Sequence, residues 1–168
     1  MLAQLKLAWW RDRLSADPEG WPKGEPLLAR LATWGGSARG LVALVDGWEA
    51  LLGEQPLPAA DLSTFAAGRA DAMAALAARL GADRDPVQAA SRRWALADLA
   101  LHRGDSQERM EAVRILDAET TAGRIGPAMR PLAVLAGLST RAIRKDAREA
   151  LYGPGALLWA IRLGLAGR

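Results

Sequence analysis

Asp85-Pro-Val-Gln-Ala-Ala-Ser-Arg-Arg-Trp-Ala-Leu-Ala-Asp-Leu-Ala-Leu-His-Arg103 reads as one long α-helix. Asp85 is placed as the N-cap and Pro86 as the first helical residue, where a missing N–H costs nothing; Gly104 stops the run. Ala, Leu and Arg fill most of this stretch and much of the chain, and all three are good helix formers. Val and Ile are sparse, and no segment alternates apolar with polar residues as a half-buried strand does. The expected fold is all-α: a helical bundle with antiparallel neighbours where the loops are short.

The same reading extends outward on both sides. Upstream, an Ala-studded helix is expected from a cap at Asp61 or Ser63 to Gly81, able to approach a neighbour closely. Ser37 is the expected N-cap of a helix through Leu52, with Leu41, Leu44, Val45, Trp48, Leu51 and Leu52 as its apolar stripe. Residues 2–15 and 26–34 form two further helices; the stretch 17–26, with three prolines and two glycines, breaks the first, and the last of these prolines opens the second. Downstream, helices are expected over 106–119 and 127–138. Ser139 then caps a basic amphipathic helix to Tyr152, and an apolar helix closes the series over 154–165. Nothing repeats at a fixed period, which argues against a helical solenoid.

The chain has 168 residues. At roughly 100–200 residues per domain, that predicts a single domain over 1–168. Cysteine is absent, which removes disulfides, thiolate metal sites and thiol nucleophiles. A single histidine, His102, cannot build a zinc site that needs two; at a helix end it is expected to meet the last carbonyls. The formal charge of +3 comes from 22 basic and 19 acidic residues, too balanced for a nucleic-acid specialist, so no nucleic-acid partner is expected. No window holds about 18 uncharged apolar residues, so no membrane span is expected. The first residues lack a signal peptide's order, and the cytoplasm is the expected compartment. Neither the phosphate-loop nor the dinucleotide-binding glycine pattern is present, and there is no Gly-x-Ser-x-Gly elbow.

Acidic pairs three apart are the remaining source of chemistry, because they share a helix face and can hold a divalent cation. Asp146/Glu149 and Glu108/Glu111 lie among arginines and read as salt-bridged, solvated faces. Asp46/Glu49 flank Trp48 on an otherwise apolar helix and stand as a candidate pocket pair. Arg93 and Trp94 form a candidate anion-and-stack element, although arginine stems on helices also cover apolar surface. The basic helix from Arg141 to Arg148 is a weak phosphate-binding signal. Trp9 and Trp10 point about 100° apart on a helix. They cannot share one buried stripe, so Trp10 is a candidate for facing a pocket or partner.

Several of these segments, taken in order, resemble the squalene/phytoene synthase family. Met1-Leu-Ala-Gln-Leu-Lys-Leu-Ala-Trp-Trp-Arg-Asp12 resembles its Leu-x-Trp-Trp-Arg helix, and Leu44-Val-Asp-Gly-Trp-Glu-Ala-Leu-Leu52 its Tyr-Leu-Asp-Gly-Met helix. Phe65-Ala-Ala-Gly-Arg-Ala70 and Arg92-Arg93-Trp94-Ala-Leu-Ala-Asp98 fall where the family has two more of its helices, and residues 128–137 and 153–162 suit its closing ones. The resemblance implies a shortened isoprenoid-synthase fold. Active members hold Mg²⁺ on two Asp-rich motifs and ionise isoprenoid diphosphates. Here the first motif lies upstream of where the chain begins, the second Asp of the middle motif falls on Leu51, and Asp98 and Asp105 lack a partner three or four residues away.

The resemblance therefore implies a non-catalytic binding or assembly factor, similar to the family's complex I assembly branch, with no catalytic residue, metal or cofactor. The pocket candidates are Trp10, Asp46, Glu49, Arg93, Trp94 and Asp98. A protein partner or a second copy is expected on an apolar face left uncovered, and an isoprenoid or lipid is the expected small ligand. The rival reading is a Mg²⁺-dependent prenyltransferase that gathers Asp46, Glu49 and Asp98 around one ion. A third is a peripheral membrane protein, held at the inner membrane through the apolar last helix and the basic segment before it.

Overall fold

Helix α4 (Ala59–Arg79) packs along α5 (Arg84–His102), and the remaining helices are arranged around this pair. The computed structural model describes residues 1–121 and 123–167. Among the described residues there are six further α-helices and no strand: α1 (Leu2–Ser15), α2 (Pro26–Ala32), α3 (Val42–Ala50), α6 (Ser106–Ala118), α7 (Arg130–Arg144) and α8 (Gly155–Ala166). The protein is an all-α helical bundle. In it α3 packs on α4, α6 and α7 pack on α5, α8 lies on α7, and α1 lies on α3.

Three apolar clusters hold these helices. Leu62, Phe65, Leu96, Leu99 and Leu116 join α4, α5 and α6. Val87, Ala90, Met129, Leu132 and Ala133 join α5 to α7. Leu14, Trp21, Leu28, Leu31 and Val45 close the N-terminal part. Each fully buried Leu or Phe contributes about 1.5–3 kcal/mol. The many alanines of α4 allow close crossings, and at Gly47 and Gly68 the α3 and α4 backbones nearly touch: a β-carbon on Gly68 would stand 3.1 Å from the Gly47 Cα.

Helix starts differ from the expected ones because burial outweighs capping chemistry. Helix α4 opens directly after Pro58, with Leu57 buried beside it, and neither Asp61 nor Ser63 caps it. Asp61 lies in the first turn, where its charge suits the helix dipole. The cap of α5 is Asp83, which accepts the Asp85 N–H at 3.3 Å, so Asp85 and Pro86 already belong to the first turn. Ser37 caps nothing. Residues Gly35–Leu41 form a 3-10 segment, and α3 opens only at Val42.

The predicted break at Ser139 does not exist. Helix α7 runs through it, and Ser139 is buried on the apolar face with Leu132, Ala136 and Ala142. The helix stops at Arg144, where Asp146 turns left-handed (φ 49°) and Ala147 N–H bonds back to the Ala142 carbonyl at 2.9 Å. The basic helix expected to Tyr152 is therefore the last turn of α7 followed by an irregular connection. Beyond α8, Gly167 is left-handed (φ 71°), and its carbonyl accepts the Ile125 N–H at 3.0 Å. Arg124 Nε donates to the Ala166 carbonyl at 3.2 Å, so residues 124–125 grip the end of α8.

Candidate functional site

A cavity of about 460 Å³ opens between α5, α7, α8 and the segment before α7. Its floor is apolar: Ala90 from α5, Ala133, Ala136 and Gly137 from α7, Leu163 and Trp159 from α8, and Ile125. Gly137 leaves room for the Leu163 side chain: a β-carbon there would collide with Leu163 Cδ1, and that side chain would have to shift. Around this floor stand four cationic side chains, Arg93, Arg141, Arg144 and Lys145, and no acidic residue is among the described residues lining it.

The cations are placed by the helices that carry them. Arg141, Arg144 and Lys145 sit three and four residues apart at the end of α7 and so share one side of it. Arg141 donates to the Tyr152 carbonyl at 2.8 Å, which ties the connection before α8 to the cavity wall. Arg93, half-buried on α5, donates to the Glu119 carbonyl at 3.1 Å and the Leu116 carbonyl at 3.3 Å, at the C-terminus of α6. Burial pulls the Arg93 pKa below its ordinary value and the charge of Arg144 lowers it further, against the opposing pull of Asp117 and Glu119. A cation that is partly desolvated and faces another cation is stabilised by an incoming anion. The Trp159 indole N–H is buried without an acceptor at the same wall.

The six residues singled out from the sequence do not come together. Only Arg93 reaches the cationic cavity. Trp10 is part of the N-terminal core, edge-on to the exposed Trp9 with ring centroids 4.9 Å apart. Asp46 and Glu49 are exposed on α3 and both pair with Arg11 of α1, Asp46 through Arg11 Nε at 2.8 Å. That guanidinium holds the Glu49 carboxyl below its ordinary range, chiefly by hydrogen bonding. Trp94 lies beneath Arg69, whose guanidinium stands 3.8 Å from the ring centroid. Asp98 accepts from the same Arg69 at 2.9 Å.

Asp98 also lines a second cavity, of about 520 Å³, with Trp48, Phe65, Leu99 and His102. His102 closes α5 as expected, with Nδ1 2.9 Å from the Asp98 carbonyl oxygen. The three acids proposed for a shared ion are thus bound to two different arginines. Among the described residues no group of three His, Asp or Glu side chains could hold a metal ion, so the residues present do not fit the Mg²⁺ site of the rival prenyltransferase reading.

One acidic reading is corrected outright. Glu108 is not on a solvated face but fully buried, accepting the Leu57 N–H at 2.8 Å with Arg103 at 3.4 Å. Glu111 does pair with Arg114 on the surface. The residues that sequence reasoning missed are Trp159 and Leu163, the opposite wall. The available signal was the i, i+3, i+4 placement of Arg141, Arg144 and Lys145 shortly before an apolar helix that carries a tryptophan.

Comparison with known proteins finds no family model, no curated protein and no solved structure that matches this chain.

Proposed function

We propose that this protein is a non-catalytic binding factor that holds an amphipathic anion, an isoprenoid or lipid with a phosphate-type head, in the cavity between α5, α7 and α8. The observation that carries the reading is the arrangement of that cavity: four cationic side chains around an apolar floor, with no carboxylate among its described lining residues. The apolar floor suits a hydrocarbon chain, and the cations suit a head group that would otherwise need metal ions to neutralise it. The ordered resemblance to squalene/phytoene synthases supports an isoprenoid tail, and this chain's carboxylates support binding without ionisation. Asp46, Glu49 and Asp98 are each engaged by arginine, so these three do not gather into an acidic cluster that would activate a leaving diphosphate. A binding role of this kind is compatible with service as an assembly factor.

The test is calorimetric titration of farnesyl diphosphate into the full chain, with and without Mg²⁺. Saturable binding that is indifferent to Mg²⁺ and weakened by salt is the expected result. Absence of saturable binding of farnesyl diphosphate and of farnesyl phosphate overturns the reading of the cavity. Mg²⁺-dependent binding accompanied by condensation products overturns the non-catalytic assignment.

A further inference from the structure

We infer that the outer face of α8 is a docking surface for an anionic lipid bilayer. The inner face of this helix carries Leu163 and Trp159 toward α7 and the cavity. Its outer face carries Leu157, Leu158, Ile161 and Leu165, exposed by 67%, 71%, 51% and 70%. At 3.6 residues per turn these four lie within an arc of about 100°. A side chain just past the edge of that arc is the exposed Arg162, whose guanidinium is 5.0 Å from the Trp159 ring centroid. Leu151 and Tyr152, in the connection leading into α8, are exposed as well. No acidic residue lies on α8.

The charges around this face say what covers it. Between residues 141 and 162 there are five basic residues against two acidic ones, an excess that equals the +3 of the whole chain. Arg162 lies at the edge of the stripe and Arg148 is exposed in the connection before α8, while Arg144 and Lys145, also exposed, line the cavity on the inner side; of the two acids, Asp146 is engaged by Arg109 at 2.8 Å. An apolar helical stripe with Arg162 at its edge, on a segment of net positive charge that carries no acid on α8 itself, matches an anionic bilayer surface, with hydrocarbon at the level of the leucines and head groups at the level of the arginine. A second copy of the chain matches poorly, because a two-fold contact would set this net positive segment, with Arg162, against itself. Among the described residues no helix is long and apolar enough to cross a membrane, so the geometry is that of a helix lying in the interface.

The test is co-sedimentation of the full chain with phosphatidylcholine vesicles, with and without phosphatidylglycerol, at low and high salt. The protein is expected to sediment with the phosphatidylglycerol vesicles at low salt and to be released by salt. Leu158→Glu, on an exposed position that should leave the fold intact, is expected to weaken vesicle binding about tenfold or more. Its circular dichroism and its farnesyl diphosphate titration should match those of the unsubstituted protein. Failure of the unsubstituted protein to bind phosphatidylglycerol vesicles overturns the proposal, as does undiminished binding by Leu158→Glu. A dimer in light scattering that Leu158→Glu converts to monomer, with no vesicle binding, assigns the face to a second copy and overturns it too.

Discussion

Gly68 of α4 faces Gly47 of α3 so closely that a β-carbon on Gly68 would stand 3.1 Å from the Gly47 Cα and collide with the Ala43 carbonyl oxygen. The obstruction is backbone, which cannot turn aside as a side chain can. Gly68→Ala is therefore expected to push α3 off α4 and cost about 1–3 kcal/mol, despite the better helix propensity of Ala. Urea unfolding followed by circular dichroism measures this as a lowered midpoint. Gly104→Ala, where nothing lies within 4 Å of the added carbon, is the matched control and should leave the midpoint nearly unchanged.

Arg69 does two things that only a planar guanidinium can do together: it lies over Trp94 and bonds Asp98. Lysine keeps the charge but cannot stack flat and bond at once. Arg69→Lys should cost about 1–2 kcal/mol. It should also change the fluorescence of Trp94, a change absent from an Arg69→Lys, Trp94→Phe double variant.

The cationic cavity makes a prediction about charge rather than shape. Arg144 is exposed, so Arg144→Glu should fold normally. It should also relieve Arg93 of an unfavourable neighbour. The affinity for farnesyl diphosphate should nevertheless fall at least about tenfold, equivalent to ~1.4 kcal/mol, because a carboxylate would then face the head group. Equal affinities in calorimetry would place the ligand elsewhere.

The Arg11–Glu49 pair ties α1 to α3 and carries its own pH dependence. Arg11 lowers the Glu49 pKa below its ordinary 4.5 in the folded state. The pair's contribution to stability is therefore present above about pH 4.5 and lost as pH falls through the lowered folded value. The midpoint difference between the unsubstituted protein and Glu49→Gln should shrink to nothing on acidification. A difference that persists at low pH would mean the pair contributes by packing alone.

The helices were largely legible because composition and punctuation agree with them, as the bounds of α1 and α6 illustrate. The capping residues were less so. Asp83 and Asp85 are two residues apart and both are good caps, so the sequence alone does not choose between them, and the structure does so at Asp83. Ser139 looks like a cap only if the apolar stripe on both sides of it is read as two stripes. The candidate site was hardly legible at all. Arginines that neutralise carboxylates and arginines left to line a cavity have the same one-letter code, and which is which depends on contacts 35 or 38 residues away, as with Arg11 to Asp46 and Glu49. Glu108 makes the same point, since its burial is set by Leu57, 51 residues distant in the chain.

The bonds from Ile125 and Arg124 to the end of α8 join two walls of one cavity. Detaching α8 breaks these bonds and dismantles the cavity in the same event. A ligand held there is therefore thermodynamically linked to local unfolding of the helix: occupancy suppresses fraying by mass action, and fraying releases the occupant. If α8 also lies in a bilayer, the membrane stabilises the closed form from the outer side while the ligand does so from within.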